Sequence, residues 1–308
     1  MPSGMMARAR YWHPKYWATW AFVLWLRLGA LLPWRVAVKL HKHLGRFAGV
    51  LLKRRRAIVR RNLQICFPEL APAQVELLVT RHFENVGTFF AEVAIAWFGS
   101  VDRVVASARI EGVEHLEEAL ARGKGVLLFS GHFTSLEICV PMIKAITPLF
   151  AFVFRARSNP LLDEMQTRGR RRTAHESLAN DDVRGLLRFL GRNGAVWYAP
   201  DQATQGGASI PFFGEPSMTS TATSRLARVS GAAVVPLFYC RLADDSGHLL
   251  RFHAPLDDLP SDDEIRDTAR LTAVLEGFVR ECPAQYFWTH RRFKGRSADL
   301  PDAYDSAE

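Results

Sequence analysis

His132 and Glu137 bracket the segment Ser130-Gly131-His132-Phe133-Thr134-Ser135-Leu136-Glu137. Imidazole ordinarily titrates closest to neutrality, so a histidine can take a proton from a hydroxyl and return it later. A carboxylate bonded to one ring nitrogen fixes the tautomer, stabilises the imidazolium and leaves the other nitrogen free as a base. The expected arrangement puts His132 in a strand-to-helix loop and Glu137 in the first helical turn, from which Glu137 folds back onto the ring. Such a pair without a serine acts on a hydroxyl that the substrate supplies. The spacing is common, and by itself it assigns nothing.

Three further groups have residue types suited to the same chemistry. Asp201 follows the apolar run Trp197-Tyr198-Ala199-Pro200 and precedes Gln202 and Gly206-Gly207; an acid just past a strand end is well placed for a site, though a turn uses Asp as well. Arg168, Arg170, Arg171 and Arg172 end a helix, where cations suit both the helix dipole and recognition of a phosphate. Ser217-Met218-Thr219-Ser220-Thr221 leads into another helix, a place for an anion or for simple capping.

The elements that must position these residues follow from hydrophobic period. Strands are expected at Gly125–Phe129, Leu149–Phe154, Ala195–Ala199, Ala233–Tyr239 and Leu249–Phe252. Helices are expected at Ala71–Phe98, Val113–Arg122, Ser135–Ala145, Pro160–Arg172, Asp182–Leu190, Ser220–Val229 and Asp263–Glu281. Apolar strands alternating with helices predict an α/β fold, with a mixed, mostly parallel sheet covered by helices on both faces. Pro211–Pro216 reads as a turn. Val235-Pro236 falls in a buried strand, which proline permits at an edge or a bulge.

The chain has 308 residues and a net charge of +9, which calls for an anionic partner. Five of the eight tryptophans lie in the first 34 residues, and from Tyr16 to Leu32 the only charge is Arg27. Aromatic ends flanked by Arg8, Arg10, Lys15 and Arg35 suit a bilayer interface. Residues 1–60 are therefore expected to form a membrane-anchoring and basic helical segment, spanning or interfacial, and residues 61–308 the catalytic domain. The run Lys53-Arg54-Arg55-Arg56 and Arg60-Arg61 reads equally as a headgroup contact or a solvated helix face. No nucleic-acid module is recognisable. Cys66, Cys139, Cys240 and Cys282 make no metal or disulfide pattern and are expected as free thiols of a reducing compartment. No metal and no cofactor are expected; a metal site from His132, Glu137 and His175 matches no zinc spacing.

Taken in order, several stretches resemble the lysophospholipid acyltransferase superfamily and, within it, the late acyltransferases of lipid A biosynthesis in Gram-negative bacteria. They are Arg61-Asn62-Leu63, Cys66-Phe67-Pro68, Gly131-His132-Phe133, Phe154-Arg155, Arg168-Gly169-Arg170, Trp197 to Gln202, Pro211-Phe212-Phe213-Gly214 and Trp288-Thr289-His290-Arg291-Arg292-Phe293. The resemblance implies transfer of an acyl chain from acyl-acyl carrier protein to a hydroxyl of an acyl chain on a Kdo-bearing lipid A precursor. Another lysolipid or glycolipid acceptor is the alternative. It also implies a single N-terminal helix anchored in the inner membrane, with His132 and Glu137 as the catalytic pair and Arg170 and Asp201 as additional functional residues; the free thiols favour a catalytic domain facing the cytoplasm. Arg155, Arg168, Ser220 and Thr221 are candidate substrate contacts. Backbone N–H groups of the His132 loop, with Arg170, are the expected oxyanion donors.

Overall fold

The computed structural model describes residues 10–154, 158–296 and 302–304. After two short 3₁₀ turns come α1 (Trp17–Gly29), α2 (Trp34–Leu51), α3 (Lys53–Cys66), α4 (Pro72–Phe98) and α5 (Val101–Ala106). The chain then alternates: β1 (Ala108–Glu111), α6 (Val113–Ala121), β2 (Val126–Phe129), α7 (Leu136–Ile146), β3 (Phe150–Phe154), α8 (Pro160–Thr173), β4 (Glu176–Ala179), α9 (Val183–Gly191) and β5 (Ala195–Tyr198). A hairpin, β6 (Ala208–Phe212) and β7 (Glu215–Thr219), precedes α10 (Ala222–Ser230), β8 (Ala233–Arg241), β9 (His248–Phe252) and α11 (Glu264–Glu281).

Seven strands form one sheet in the order β1-β9-β8-β2-β5-β3-β4. From β8 to β4 every pairing is parallel; β8 meets β9 antiparallel, and β1 runs parallel to β9. β2 and β8 are buried at every residue, which requires cover on both faces and explains why β2 is wholly apolar and β8 apolar up to its last residue, Arg241. Every strand and helix expected in the body is present, with ends moved by one or two residues. Two short, half-polar strands, β1 and β4, and the hairpin were not expected. The Pro211–Pro216 turn is the tip of that hairpin, where Phe213 and Gly214 take φ of 53° and 79°. Pro236 corrects another expectation, since β8 is neither an edge strand nor bulged there. Pairing with β2 ends at Pro236 and pairing with β9 begins at Leu237, so proline stands where the ladder changes partner.

α4 carries much of the later cavity wall, and the first two helices pack against it. Phe22 and Trp25 of α1 meet Phe90 at ring distances of 6.0 and 5.6 Å. α2 crosses α4 with backbones nearly touching: a Cβ on Gly45 would lie 2.1 Å from the Phe83 carbonyl, and one on Gly87 2.0 Å from that of His41. Trp34 Nε1 donates to the Asp245 carbonyl at 2.7 Å, and Lys42 pairs with the Asp245 carboxylate. Glu92, fully buried in α4, accepts from Arg241 at 2.8 Å and His248 at 3.0 Å, fixing the helix to the β8–β9 edge. The boundary expected at residue 60 falls inside α3. Of the two forms expected for the N-terminal segment, spanning and interfacial, the spanning one is not supported: among the described residues no helix is long and apolar enough to cross a membrane. α1 has 13 residues, about 20 Å at 1.5 Å per residue, against a hydrocarbon core of about 30 Å.

Candidate active site

Two adjacent strand ends build the site. Phe129 of β2 is in register with Tyr198 of β5, and Ser130 N–H donates to the Tyr198 carbonyl at 3.1 Å. Three residues beyond each strand stand His132 and Asp201, so the register brings them together. Asp201 Oδ1 lies 2.6 Å from His132 Nδ1, and Oδ2 accepts the His132 backbone N–H at 2.8 Å. A carboxylate only accepts, so Nδ1 holds the proton and Nε2 remains without a partner among the described residues. Gly131 makes the approach feasible, because a Cβ there would sit 2.5 Å from Leu275 Cδ1 and 3.2 Å from Asp201 Oδ2.

The side chain of Asp201 is 2% exposed and that of His132 28%. Burial disfavours the imidazolium, but the Asp201 charge and hydrogen bond outweigh it and raise the His132 pKa above its ordinary value. Burial likewise opposes the Asp201 carboxylate. The His132 charge, both hydrogen bonds from that residue and the Arg292 charge prevail and lower its pKa.

Glu137 is not the partner of His132. It is the second residue of α7, and its carboxylate runs along the cavity wall to α8. There it accepts from Arg170 Nε at 3.0 Å and from Arg170 Nη2, while Trp97 Nε1 donates from α4 at 3.1 Å. Burial acts against its charge, but Arg170, Trp97 and Gln166 more than compensate and lower its pKa. The expectation failed because it considered only acids near in sequence. The sheet register delivers Asp201 at the height of the ring, whereas a helical first turn sends Glu137 toward the neighbouring helix. The expected backbone oxyanion donors need correction too. N–H of His132 goes to Asp201, that of Phe133 to the Tyr239 hydroxyl at 3.4 Å, and that of Thr134 to the Gln285 carbonyl at 2.8 Å. Arg170 Nη1 is not taken by any described residue.

His132, Glu137 and Arg170 border one cavity of about 580 Å³. Its walls are Phe89, Phe90, Val93 and Trp97 of α4, Leu136 and Val140 of α7, Phe152, Val153 and Phe154 of β3 and Leu162 of α8; Gln166 and Gln202 add polar groups. Of the other candidate contacts, Arg155 lies outside the described residues. Arg168 is exposed, pairs with Glu164 on its own helix and does not line the cavity. Ser220 Oγ accepts the Ala222 N–H at 3.3 Å and Thr221 is the residue before α10, so both serve that helix start. His175 accepts the Phe150 N–H at 3.0 Å, at the opposite end of the strands. The described cysteines are free. Sequence reasoning missed Trp97 and Gln166, which no local pattern marks, and gave no role to His290 and Arg292, although their stretch stood out.

A His–Asp pair beside a cavity lined mostly by apolar side chains, with no Ser, Thr or Cys among the described lining residues, suits activation of a hydroxyl from outside the chain beside an apolar substrate. The fold and site thus suit an α/β enzyme acting on a hydroxyl beside an apolar substrate. Residues 5–295 match the family described as bacterial lipid A biosynthesis acyltransferase, and the chain belongs to that family. It is 36% identical to a lipid A biosynthesis lauroyltransferase of Escherichia coli K12 over 95% of this chain and 96% of that one. A palmitoleoyltransferase of the same organism is 34% identical with the same coverage. A myristoyltransferase from it is 30% identical over 92% of this chain and 89% of its own. The protein is an acyltransferase of lipid A biosynthesis.

Proposed function

We propose that the protein transfers a fatty acyl chain from acyl-acyl carrier protein to a hydroxyl of an acyl chain on a Kdo-bearing lipid A precursor, working on the cytoplasmic face of a bacterial inner membrane. The observation that carries this reading is the His132–Asp201 pair beside a cavity of about 580 Å³ lined mostly by apolar side chains. His132 Nε2 takes the proton of the acceptor hydroxyl as its oxygen attacks the thioester carbonyl. Asp201 steadies the imidazolium. Arg170, held by Glu137, offers Nη1 to the oxyanion that develops. Collapse of the tetrahedral intermediate breaks the C–S bond, and His132 returns its proton to the departing thiolate. No covalent acyl-enzyme is needed.

The membrane reading rests on the outer faces of α1 and α2. Trp17, Trp20, Leu24 and Leu28 are exposed along the first and Leu31 in the turn after it, and Val36, Leu40, Leu44, Phe47 and Leu51 along the second. Arg35, Lys39 and His43 border them. Such a face lies in the interface rather than crossing it. The basic residues and the +9 charge suit a phosphorylated lipid and an acidic carrier protein. The test is a transfer assay with acyl-acyl carrier protein and purified lipid A precursor, read by mass. Addition of one acyl chain, lost in His132→Ala to below a few per cent, is expected. Transfer only to another lysolipid or glycolipid would reassign the acceptor, and full activity of His132→Ala would refute the mechanism.

A further inference from the structure

Three stretches with no evident chemistry, around Asn62, Phe212 and Trp288–Phe293, converge behind Asp201. Asn62 is fully buried in α3, and its Nδ2 donates to the carbonyls of Trp288 and His290, each at 2.8 Å. Its Oδ1 accepts from the Tyr304 hydroxyl at 2.5 Å. The segment thus pinned runs beside the catalytic loop: Phe287 N–H donates to the His132 carbonyl at 2.9 Å, and Tyr286 bridges Phe133. His290 Nε2 accepts the Ala203 N–H at 3.1 Å, two residues past Asp201.

Arg292 is the unusual member. It is 2% exposed and makes no ion pair with a described residue. Nη1 donates to Ser217 Oγ, Nη2 to Thr219 Oγ1 at 3.0 Å, and the guanidinium lies 4.8 Å from the Phe212 ring centre. Its Nε is buried without a partner among the described residues. A buried cation held only by hydroxyls and a ring needs an anion nearby. Asp201 shares two small cavities with it, each about 10 Å³ and so of a size with one water molecule.

We infer that Arg292 and His290 are positioning residues of the reaction: Arg292 is the buried counter-charge that holds Asp201 as a carboxylate, and His290 fixes the loop that carries it. This rests on the reading of His132 as the base. The charges and titratable groups around the pair are Arg170 and Glu137 from α8 and α7, Tyr239 from β8, and Tyr286, His290 and Arg292 from the C-terminal segment. With His132 neutral, two arginines balance two carboxylates. Loss of Arg292 leaves a net negative site, which favours a protonated His132 at rest and disarms the base.

The experiment is a pH titration of the His132 ring by NMR in the full chain with labelled histidine, assigned through His132→Ala. In Arg292→Met the midpoint should rise by about one unit, as expected for removal of a nearby cation. Transfer at neutral pH should fall roughly tenfold or more and recover in part as pH is raised. Arg292→Lys keeps the charge, so His132 should titrate close to the wild-type midpoint; a shift of about one unit in that folded variant would overturn the assignment, even if Arg292→Met does not fold. An unmoved midpoint in folded Arg292→Met overturns it too. His290→Ala should lower kcat with little change in KM, and His290→Asn, which retains an acceptor, should restore most of it; equal losses would remove His290 from the proposal. A wild-type chain without transfer activity would sink the acyl-transfer reading and leave the titration result standing.

Discussion

Replacement of Glu137 by Gln separates the two possible roles of that residue. In the structure Glu137 neutralises Arg170, with side-chain exposures of 4% and 11%, so solvent screens the pair little. Removing one partner of a buried pair costs about 3–5 kcal/mol, because an uncompensated charge stays behind. A guanidinium cannot shed its charge by deprotonation, so Glu137→Gln should reach that range. Unfolding entropy is about 2.1 cal/mol/K per residue, or roughly 0.65 kcal/mol/K for 308 residues. The expected fall in Tm is therefore ~5–8 °C. Adding Arg170→Met should restore most of it, since the double variant leaves no charge behind and loses mainly the guanidinium contact with the Phe152 ring at 4.4 Å. Thermal melts of the wild type, both single variants and the double variant form a cycle whose coupling should be about 2 kcal/mol or more. A Glu137→Gln protein melting within about 1 °C of wild type, or additive losses in the double variant, would refute the pair as described.

Other expectations follow from the same geometry. Because the His132 pKa is raised, its base form fills in only above the ordinary histidine range; the rate should fall as pH drops through that raised value, with the acid limb above about 6.5. Asp201→Asn removes the cause, leaves burial to lower the pKa, and should move the limb to lower pH while cutting the plateau by about 10³–10⁴; a limb that stays in place would argue against the pair. Val140→Phe adds bulk to the cavity wall and should shift donor preference to shorter chains, with a loss of roughly 10–100-fold for the longest accepted donor, whereas a uniform loss across a graded donor series would show that the cavity does not hold the chain. Leu28→Glu with Phe47→Glu should abolish sedimentation with anionic phospholipid vesicles and leave the melt unchanged; unaltered sedimentation would remove α1 and α2 from membrane contact.

The sequence was most informative where burial leaves a continuous mark. β2 and β5 are apolar throughout, and β8 up to Arg241, because both faces of the central sheet are covered, and their limits could be read to within two residues. β1 and β4 are short and half-polar, and the β6–β7 hairpin includes Pro211 and Pro216, so none has a strand signature. The choice between a spanning and an interfacial N-terminal helix was not legible for a related reason. Trp17–Gly29 is apolar on nearly all sides, which a membrane span requires, but Val23, Leu26 and Gly29 are buried within the protein. A one-dimensional count cannot distinguish lipid from protein on the second face. His132, Glu137, Arg170 and Asp201 were all singled out by sequence, since each follows a strand or lies near a helix end, and the structure brings them to the same edge of the sheet. Their pairing was not legible, because it depends on the register of β2 with β5 across 69 residues of chain.

That register also explains how a contiguous motif can divide into two functions. A histidine two residues past Ser130 and an acid in the next helical turn both reach the cavity, but from different directions. If Glu137 bonded the ring, Arg170 would be left as a buried cation with no anion, and the base would have its acid on the cavity side, where the substrate must approach. With Asp201 behind the ring, Nε2 stays open. Glu137 can then hold a cation beside the reacting carbonyl without drawing the imidazole proton toward the substrate. Asp201 and Glu137 are balanced by Arg292 and Arg170, so the resting site is neutral when His132 is neutral. An apolar chain can enter such a site without stripping water from a net charge. In the proposed mechanism, one proton moves to His132 during attack and one negative charge develops on the oxyanion, between an acid that stabilises the first and a guanidinium that stabilises the second.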